Sequence, residues 1–124
     1  MAMMPTNPPL PYHEERPWGG FTRFIENTPV TVKLITVKAT EQFSLQYHEK
    51  RDEFWHVISG EGMAIVGQET KIAKPGDEFF ITRGTQHRFT AGSSDVTFLE
   101  LAFGEFDENE IVRVEDKYGR TNPH

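Results

Sequence analysis

The chain has 124 residues, 36% of them hydrophobic, a formal charge of −6 and no cysteine. That length suits one domain with a single core, and the acidic balance excludes the basic footprint that broad nucleic-acid binding needs. The missing thiols exclude a disulfide framework, a thiolate metal site and a cysteine nucleophile.

Residues 1–15 read as an extended N-terminal segment rich in proline (Pro5, Pro8, Pro9, Pro11), residues 16–120 as one domain, and residues 121–124 as a tail. From Gly20 onward, short β-branched and aromatic runs alternate with Gly, Pro, Asn and Asp. Strands are expected at Phe21–Ile25, Thr31–Lys38, Gln42–His48, Glu53–Ser59, Met63–Val66, Thr70–Ala73, Glu78–Thr82, His87–Thr90 and Val96–Phe103. Nine short strands with no helical periodicity before residue 104 predict an all-β sandwich or barrel and argue against βαβ units. The turns Ser59-Gly60-Glu61-Gly62 and Lys74-Pro75-Gly76-Asp77 place glycine where positive φ is needed. Glu105 to Asp116 holds six acidic residues and reads as a short helix or an edge element. No basic n-region opens the chain and no run of about 18 apolar residues occurs, so a soluble cytoplasmic protein without a membrane partner is expected.

The candidate chemistry lies in two short segments, Gln46-Tyr47-His48 with Glu53, and His87. Strand alternation puts Gln46 and His48 on one side and Phe43, Leu45 and Tyr47 on the other. The four residues between His48 and Glu53 suit a hairpin loop that would return Glu53 beside His48. Two imidazoles, a carboxylate and an amide oxygen form a donor set for a divalent metal, with zinc first and manganese, iron, cobalt or nickel also compatible. If those ligands face the interior, the apolar row of Phe43, Leu45 and Tyr47 faces outward and predicts a homodimer.

These residues resemble the cupin superfamily, a double-stranded β-helix or jelly-roll barrel. The first motif reads Gln46-x-His48-x(4)-Glu53-x(6)-Gly60, and the second Gly76-x(5)-Thr82-x-Gly84-x(2)-His87, with Thr82 where the family usually has proline and Ala91 where it ends in asparagine. A closer resemblance runs from 16 to 120. Arg16-Pro17-Trp18-Gly19, Val32-Lys33, Phe43-Ser44-Leu45-Gln46, Arg51-x-Glu53-x-Trp55, Gly84-x-x-His87-Arg88 and Glu110-Ile111-x-Arg113-x-x-Asp116-x-Tyr118-Gly119-Arg120 are similar to the C-terminal cupin domain of type II mannose-6-phosphate isomerase. The resemblance implies a metal-dependent aldose–ketose isomerase acting on a sugar phosphate. In that family the cupin often follows a nucleotidyltransferase domain, and a Gln replaces the first His ligand, as Gln46 does here. The family's late-strand Glu-x-Gln reads Glu100-Leu101-Ala102 in this chain.

An enediol mechanism needs a base, for which Glu100 is preferred over Lys33, while strand parity points His56 away from the metal. Glu100 has an alternative reading as a structural partner or orienter of a ligand histidine. Phosphate recognition needs cations, for which Lys33, Arg51, Arg88, Arg113 and Arg120 are the candidates, the arginines offering bidentate geometry. Trp55 is placed against the sugar or in the core, and Arg16 with Trp18 against the barrel as a lock for the N-terminal segment. Two rival classes remain: another metal enzyme on the same scaffold, such as a dioxygenase, and a non-catalytic sugar-binding module.

Overall fold

Each expected run of β-branched and aromatic residues overlaps a strand in the computed structural model, which describes residues 10–120. In chain order the strands are β1 (Tyr12–Arg16), β2 (Gly19–Arg23), β3 (Thr31–Val37), β4 (Leu45–Tyr47), β5 (Arg51–Ser59), β6 (Gly62–Val66), β7 (Glu69–Ala73), β8 (Glu78–Ile81), β9 (His87–Ala91), β10 (Val96–Gly104) and β11 (Val112–Glu115). Three antiparallel sheets result, ordered β1-β2, β3-β10-β5-β8 and β11-β4-β9-β6-β7. The second and third face each other in the jelly-roll arrangement of a cupin. No helix among the described residues is long and apolar enough to cross a membrane.

The core between the sheets follows strand alternation. Val37, Trp55, Val57, Ala64, Ala73, Ile81, Phe89, Ala91, Val96 and Phe98 form one buried cluster with contributions from both sheets. Trp55 is its hub, its ring lying 4.9 Å from Phe98, 5.9 Å from Phe43 and 6.3 Å from Phe89. Burying one such aromatic contributes roughly 1.5–3 kcal/mol. Strands β5 and β10 are central and buried on both faces. Their other faces carry Phe54, Leu101 and Phe103, which are roofed by Phe24, Ile25 and Val30 from the segment that enters β3.

At the β5–β6 turn Gly60 has φ of 82°, and a Cβ there would lie 2.1 Å from the Asp95 carbonyl oxygen, so only glycine fits. Thr82 keeps the turn that the motif usually builds with proline. Its carbonyl accepts from Thr85 N at 3.1 Å, and the two hydroxyls pair at 2.8 Å.

Several expectations change. The segment from His48 to Glu53 is not a hairpin loop between paired strands: β4 and β5 lie in different sheets, so it carries the chain from one face of the barrel to the other. The strand expected over 42–48 shortens to Leu45–Tyr47, with Ser44 buried and donating to Gln46 Oε1 at 2.6 Å. Alternation therefore does not extend back to Phe43, which turns inward and meets Trp55 edge-on. Leu45 and Tyr47 are half-buried, so no continuous outward row of Phe43, Leu45 and Tyr47 exists. The extended segment placed before residue 16 includes β1, which pairs with β2, while residues 1–9 and the tail 121–124 lie outside the described residues. Trp18 does not lock that segment to the barrel, because its side chain is 74% exposed, and Arg16 pairs with Glu14 on its own strand. The acidic stretch forms no helix. Its C-terminal part is the edge strand β11, paired with β4.

Candidate metal centre

Three strands and one crossing segment bring the candidate ligands together. The register pairs Gln46 on β4 with His87 on β9, His48 follows β4 directly, and Glu53 enters from β5 in the opposite sheet. His48 Nε2 lies 3.4 Å from Glu53 Oε2 and His87 Nε2 lies 3.5 Å from Glu53 Oε1, so each carboxylate oxygen faces one imidazole. All three side chains are buried, and one ligand atom from each lies within 4.8 Å of the others.

The protein sets both tautomers. His48 Nδ1 is 2.8 Å from the Glu110 carbonyl and His87 Nδ1 is 2.9 Å from the Thr85 carbonyl. A carbonyl oxygen only accepts, so each Nδ1 carries the hydrogen and each Nε2 turns a lone pair toward Glu53. His87 Nε2 is buried without a hydrogen-bond partner among the described residues. Burial lowers the proton affinity of both imidazoles, more than the carboxylate of Glu53 raises it. Neutral imidazoles whose Nε2 lone pairs face an ionised carboxylate are what a divalent ion requires, and the orphaned buried Nε2 of His87 is otherwise costly. The residues therefore fit a metal.

Gln46 lies beside the cluster with its amide reversed relative to a ligand's. Its Nε2 is 3.3 Å from His48 Nε2, and its Oε1 accepts from Ser44. Turning the amide over would present the oxygen, and the Ser44 hydroxyl can serve as acceptor for the nitrogen just as well.

A cavity of about 220 Å³ opens beside the cluster, walled by Gln46, His48 and Glu53 together with Lys33, Arg51 and Arg113. Glu100, paired in register with Lys33 and Trp55 on the neighbouring strands, is buried and hydrogen-bonded to Glu53. Burial and the adjacent Glu53 carboxylate push the Glu100 carboxyl well above the usual carboxylate range. Burial alone would raise Glu53 also, but the hydrogen bond from Glu100 and the charge of the Arg51 guanidinium pull it below that range. Like-charged neighbours cannot both ionise cheaply, so the pair holds one proton and keeps it on Glu100.

The other expected residues separate into two groups. Arg51, Arg113, Lys33 and Trp55 line the cavity. Arg51 is internally engaged, donating to Glu53 Oε2 at 3.0 Å, to His48 Nε2 at 3.2 Å and to the Asp107 carbonyl at 3.1 Å. Lys33 is not a desolvated amine: its side chain is 32% exposed, 2.9 Å from Glu108 and 3.9 Å from Glu100. Trp55 belongs to the core, with its indole at the cavity floor and Nε1 unpartnered among the described residues.

Arg88 does not reach the cavity. One residue beyond His87 it points to the opposite face, where Nε donates to the Phe43 carbonyl at 3.0 Å and Nη1 to Glu115 at 3.0 Å. Arg120 is bound to Asp116 at 2.7 Å, away from the ligands. His56 turns away as expected and pairs with Glu78 at 2.7 Å.

Two contributors were not assigned from the sequence. Glu110 orients His48 through its carbonyl, and its carboxylate accepts from the backbone N–H groups of Glu49 (3.1 Å) and Lys50 (2.9 Å). Phe106 lies 4.9 Å from Lys33 Nζ and 4.6 Å from the Arg51 guanidinium carbon. Both fall in a stretch whose acidity reads as a solvated face. The one available signal was Glu110's place in the motif that carries the family resemblance.

Two facing sheets with a His-His-Glu cluster beside a cavity that His48 and Glu53 line define a cupin with a candidate metal centre. The chain belongs to the family described as Mannose-6-phosphate isomerase C-terminal, which matches residues 10–116. It is 36% identical over 108 residues to xanthan biosynthesis protein XanB of Xanthomonas campestris pv. campestris, covering 86% of this chain and 23% of that one. It is 33% identical over 107 residues to mannose-1-phosphate guanylyltransferase ManC of Salmonella typhimurium, covering 85% of this chain and 22% of that one. The chain thus spans less than a quarter of these relatives' length.

Among solved structures, NovW, a 4-keto-6-deoxy sugar epimerase of Streptomyces spheroides, superposes with a TM-score of 0.66 at 14% identity, covering 84% of this chain and 66% of that one. KdgF from Halomonas sp. gives 0.61 at 19% identity, covering 68% and 77%. At such identities these likenesses bear on the fold alone.

Proposed function

We propose that this chain is a metal-dependent sugar-phosphate isomerase, interconverting an aldose phosphate and its ketose through an enediol, with mannose 6-phosphate as the substrate the family suggests. The observation that carries the reading is the pairing of a tautomer-set His-His-Glu cluster with a proton-holding carboxyl, Glu100, in one cavity. A divalent metal held by His48, Glu53 and His87, with Gln46 as a fourth donor once its amide is turned, supplies Lewis-acid polarisation of the sugar carbonyl.

The remaining work falls to the chain's own groups. Glu100 must first release the proton it holds at rest, which the positive charge of a bound divalent metal would favour; as a carboxylate it then takes the proton from C2 of the aldose and returns it to C1, while the hydroxyl proton passes from O2 to O1 of the enediol. Its raised proton affinity keeps that proton on the carboxyl between the two transfers. Ile35, Phe43 and Trp55 give the cavity apolar walls that limit exchange of the proton with water. Arg113, Lys33 and Arg51 set a positive field for the phosphate.

The test is conversion of mannose 6-phosphate to fructose 6-phosphate by purified protein supplied with zinc, manganese, cobalt or iron. Turnover that disappears with chelator supports the reading. No turnover with any of the four metals refutes it, and tight sugar-phosphate binding without turnover would make this a binding module.

A further inference from the structure

The acidic loop between β10 and β11 folds back over the cavity mouth and engages cations there. The Phe106 ring supports Lys33 and Arg51 together, and the Asp107 carbonyl accepts from Arg51 Nη1. Glu108 goes further. Its side chain is 67% exposed, yet its Oε1 lies 2.9 Å from Lys33 Nζ and it lines the same cavity as the ligand cluster. Lys33's other carboxylate neighbour, Glu100, stands farther away at 3.9 Å.

Arg113 supplies the complementary observation. It projects into the same cavity wall from β11, and among the described residues its guanidinium has neither an ion-pair nor a hydrogen-bond partner, with Nε buried. An orphaned buried guanidinium N–H is expensive unless something occupies it. Of the three cations in the wall, then, Arg51 is engaged by protein groups, Lys33 by exposed Glu108 with Glu100 and Phe106 farther off, and Arg113 by none among the described residues.

We propose that Lys33 and Arg113 form a phosphate-monoester subsite, and that Glu108 is an internal competitor holding Lys33 with its own carboxylate until the substrate's phosphate displaces it. The inference rests on reading the cavity as a sugar-phosphate site. A phosphate monoester carries close to two negative charges and three acceptor oxygens, so it can engage both cations where Glu108 engages one. Displacement needs only a side-chain rotation. Glu110, two residues on, keeps its bonds to Glu49 N and Lys50 N, so His48 stays oriented while Glu108 swings outward. An ion pair this exposed is weak, and removing the competition should tighten phosphate binding by roughly two- to five-fold.

The experiment is calorimetric titration of inorganic phosphate into the metal-loaded full chain, comparing wild type, Glu108→Gln, Arg113→Gln and Arg113→Lys, with thermal melts to verify folding. Expected results are a two- to five-fold lower Kd for Glu108→Gln, a Kd raised at least about ten-fold for Arg113→Gln, and partial recovery with Arg113→Lys. An unchanged or weaker Kd for Glu108→Gln overturns the proposal, as does phosphate binding indifferent to Arg113 or absent from every variant. Turnover separates this inference from the reading beneath it. Arg113-dependent, Glu108-opposed phosphate binding without isomerisation sinks the isomerase and keeps the subsite. Isomerisation with a Kd insensitive to Glu108 does the reverse.

Discussion

Replacing His87 by glutamine is expected to erase the thermal stabilisation that a divalent metal confers. His87 is 1% exposed, its Nδ1 is committed to the Thr85 carbonyl at 2.9 Å, and its Nε2 lies 3.5 Å from Glu53. Glutamine keeps much of the volume but cannot donate to Thr85 while offering a lone pair at the Nε2 position. At a metal concentration 100 times Kd, binding to the folded state stabilises it by about 2.7 kcal/mol. One kcal/mol moves the Tm of a domain this size by roughly 4 °C, so wild type should gain about 10 °C. Losing one of three buried ligands should weaken Kd by about a hundred-fold or more, leaving roughly 0.4 kcal/mol at the same metal concentration, a shift under about 2 °C. The assay is differential scanning fluorimetry with zinc and with chelator, each protein compared with itself so that the intrinsic cost of the substitution cancels. Equal metal-induced shifts in the two proteins would refute the assignment of His87 to the cluster.

Glu100→Gln should lower kcat for sugar-phosphate isomerisation by about 10²- to 10⁴-fold while leaving the metal-induced Tm shift in place, a split read by pairing turnover with fluorimetry. The metal-free protein should be most stable near pH 6.5, as measured by urea midpoints. As pH falls below the unfolded imidazole pKa of about 6.5, folding opposes protonation of the two buried imidazoles and stability is lost, while the raised proton affinity of Glu100 acts in the opposite sense. Stability therefore rises with pH on the approach to about 6.5, and above it Glu100 reverses the slope. Glu100→Gln should remove the falling limb and leave the rising one; a falling limb that persists would contradict a proton held on Glu100.

Strand alternation and turn chemistry carried much of the architecture because they act over a few residues. Val96, Phe98 and Glu100 on β10, and Glu53, Trp55 and Val57 on β5, share inward faces as period-two spacing requires. Gly60, Gly76 and Gly84 all take positive φ. Alternation failed at Phe43 because β4 is only three residues long and Ser44 breaks the pattern before it. It succeeded at Arg88, which turned away from the cavity although a basic residue beside His87 invites a phosphate role.

From the sequence alone came the all-β class, the family resemblance, and the candidate set of His48, Glu53, His87 and Gln46, since spacing and residue chemistry are local properties of the chain. Tertiary structure decided the rest. It set which carbonyl fixes each imidazole, put the proton on Glu100 rather than Glu53, and left Arg113 without a partner while Arg51 is engaged and Glu108 holds Lys33. Those outcomes depend on burial and on contacts between residues as distant in sequence as Lys33 and Glu108, which only the closure of two sheets over one cavity brings together.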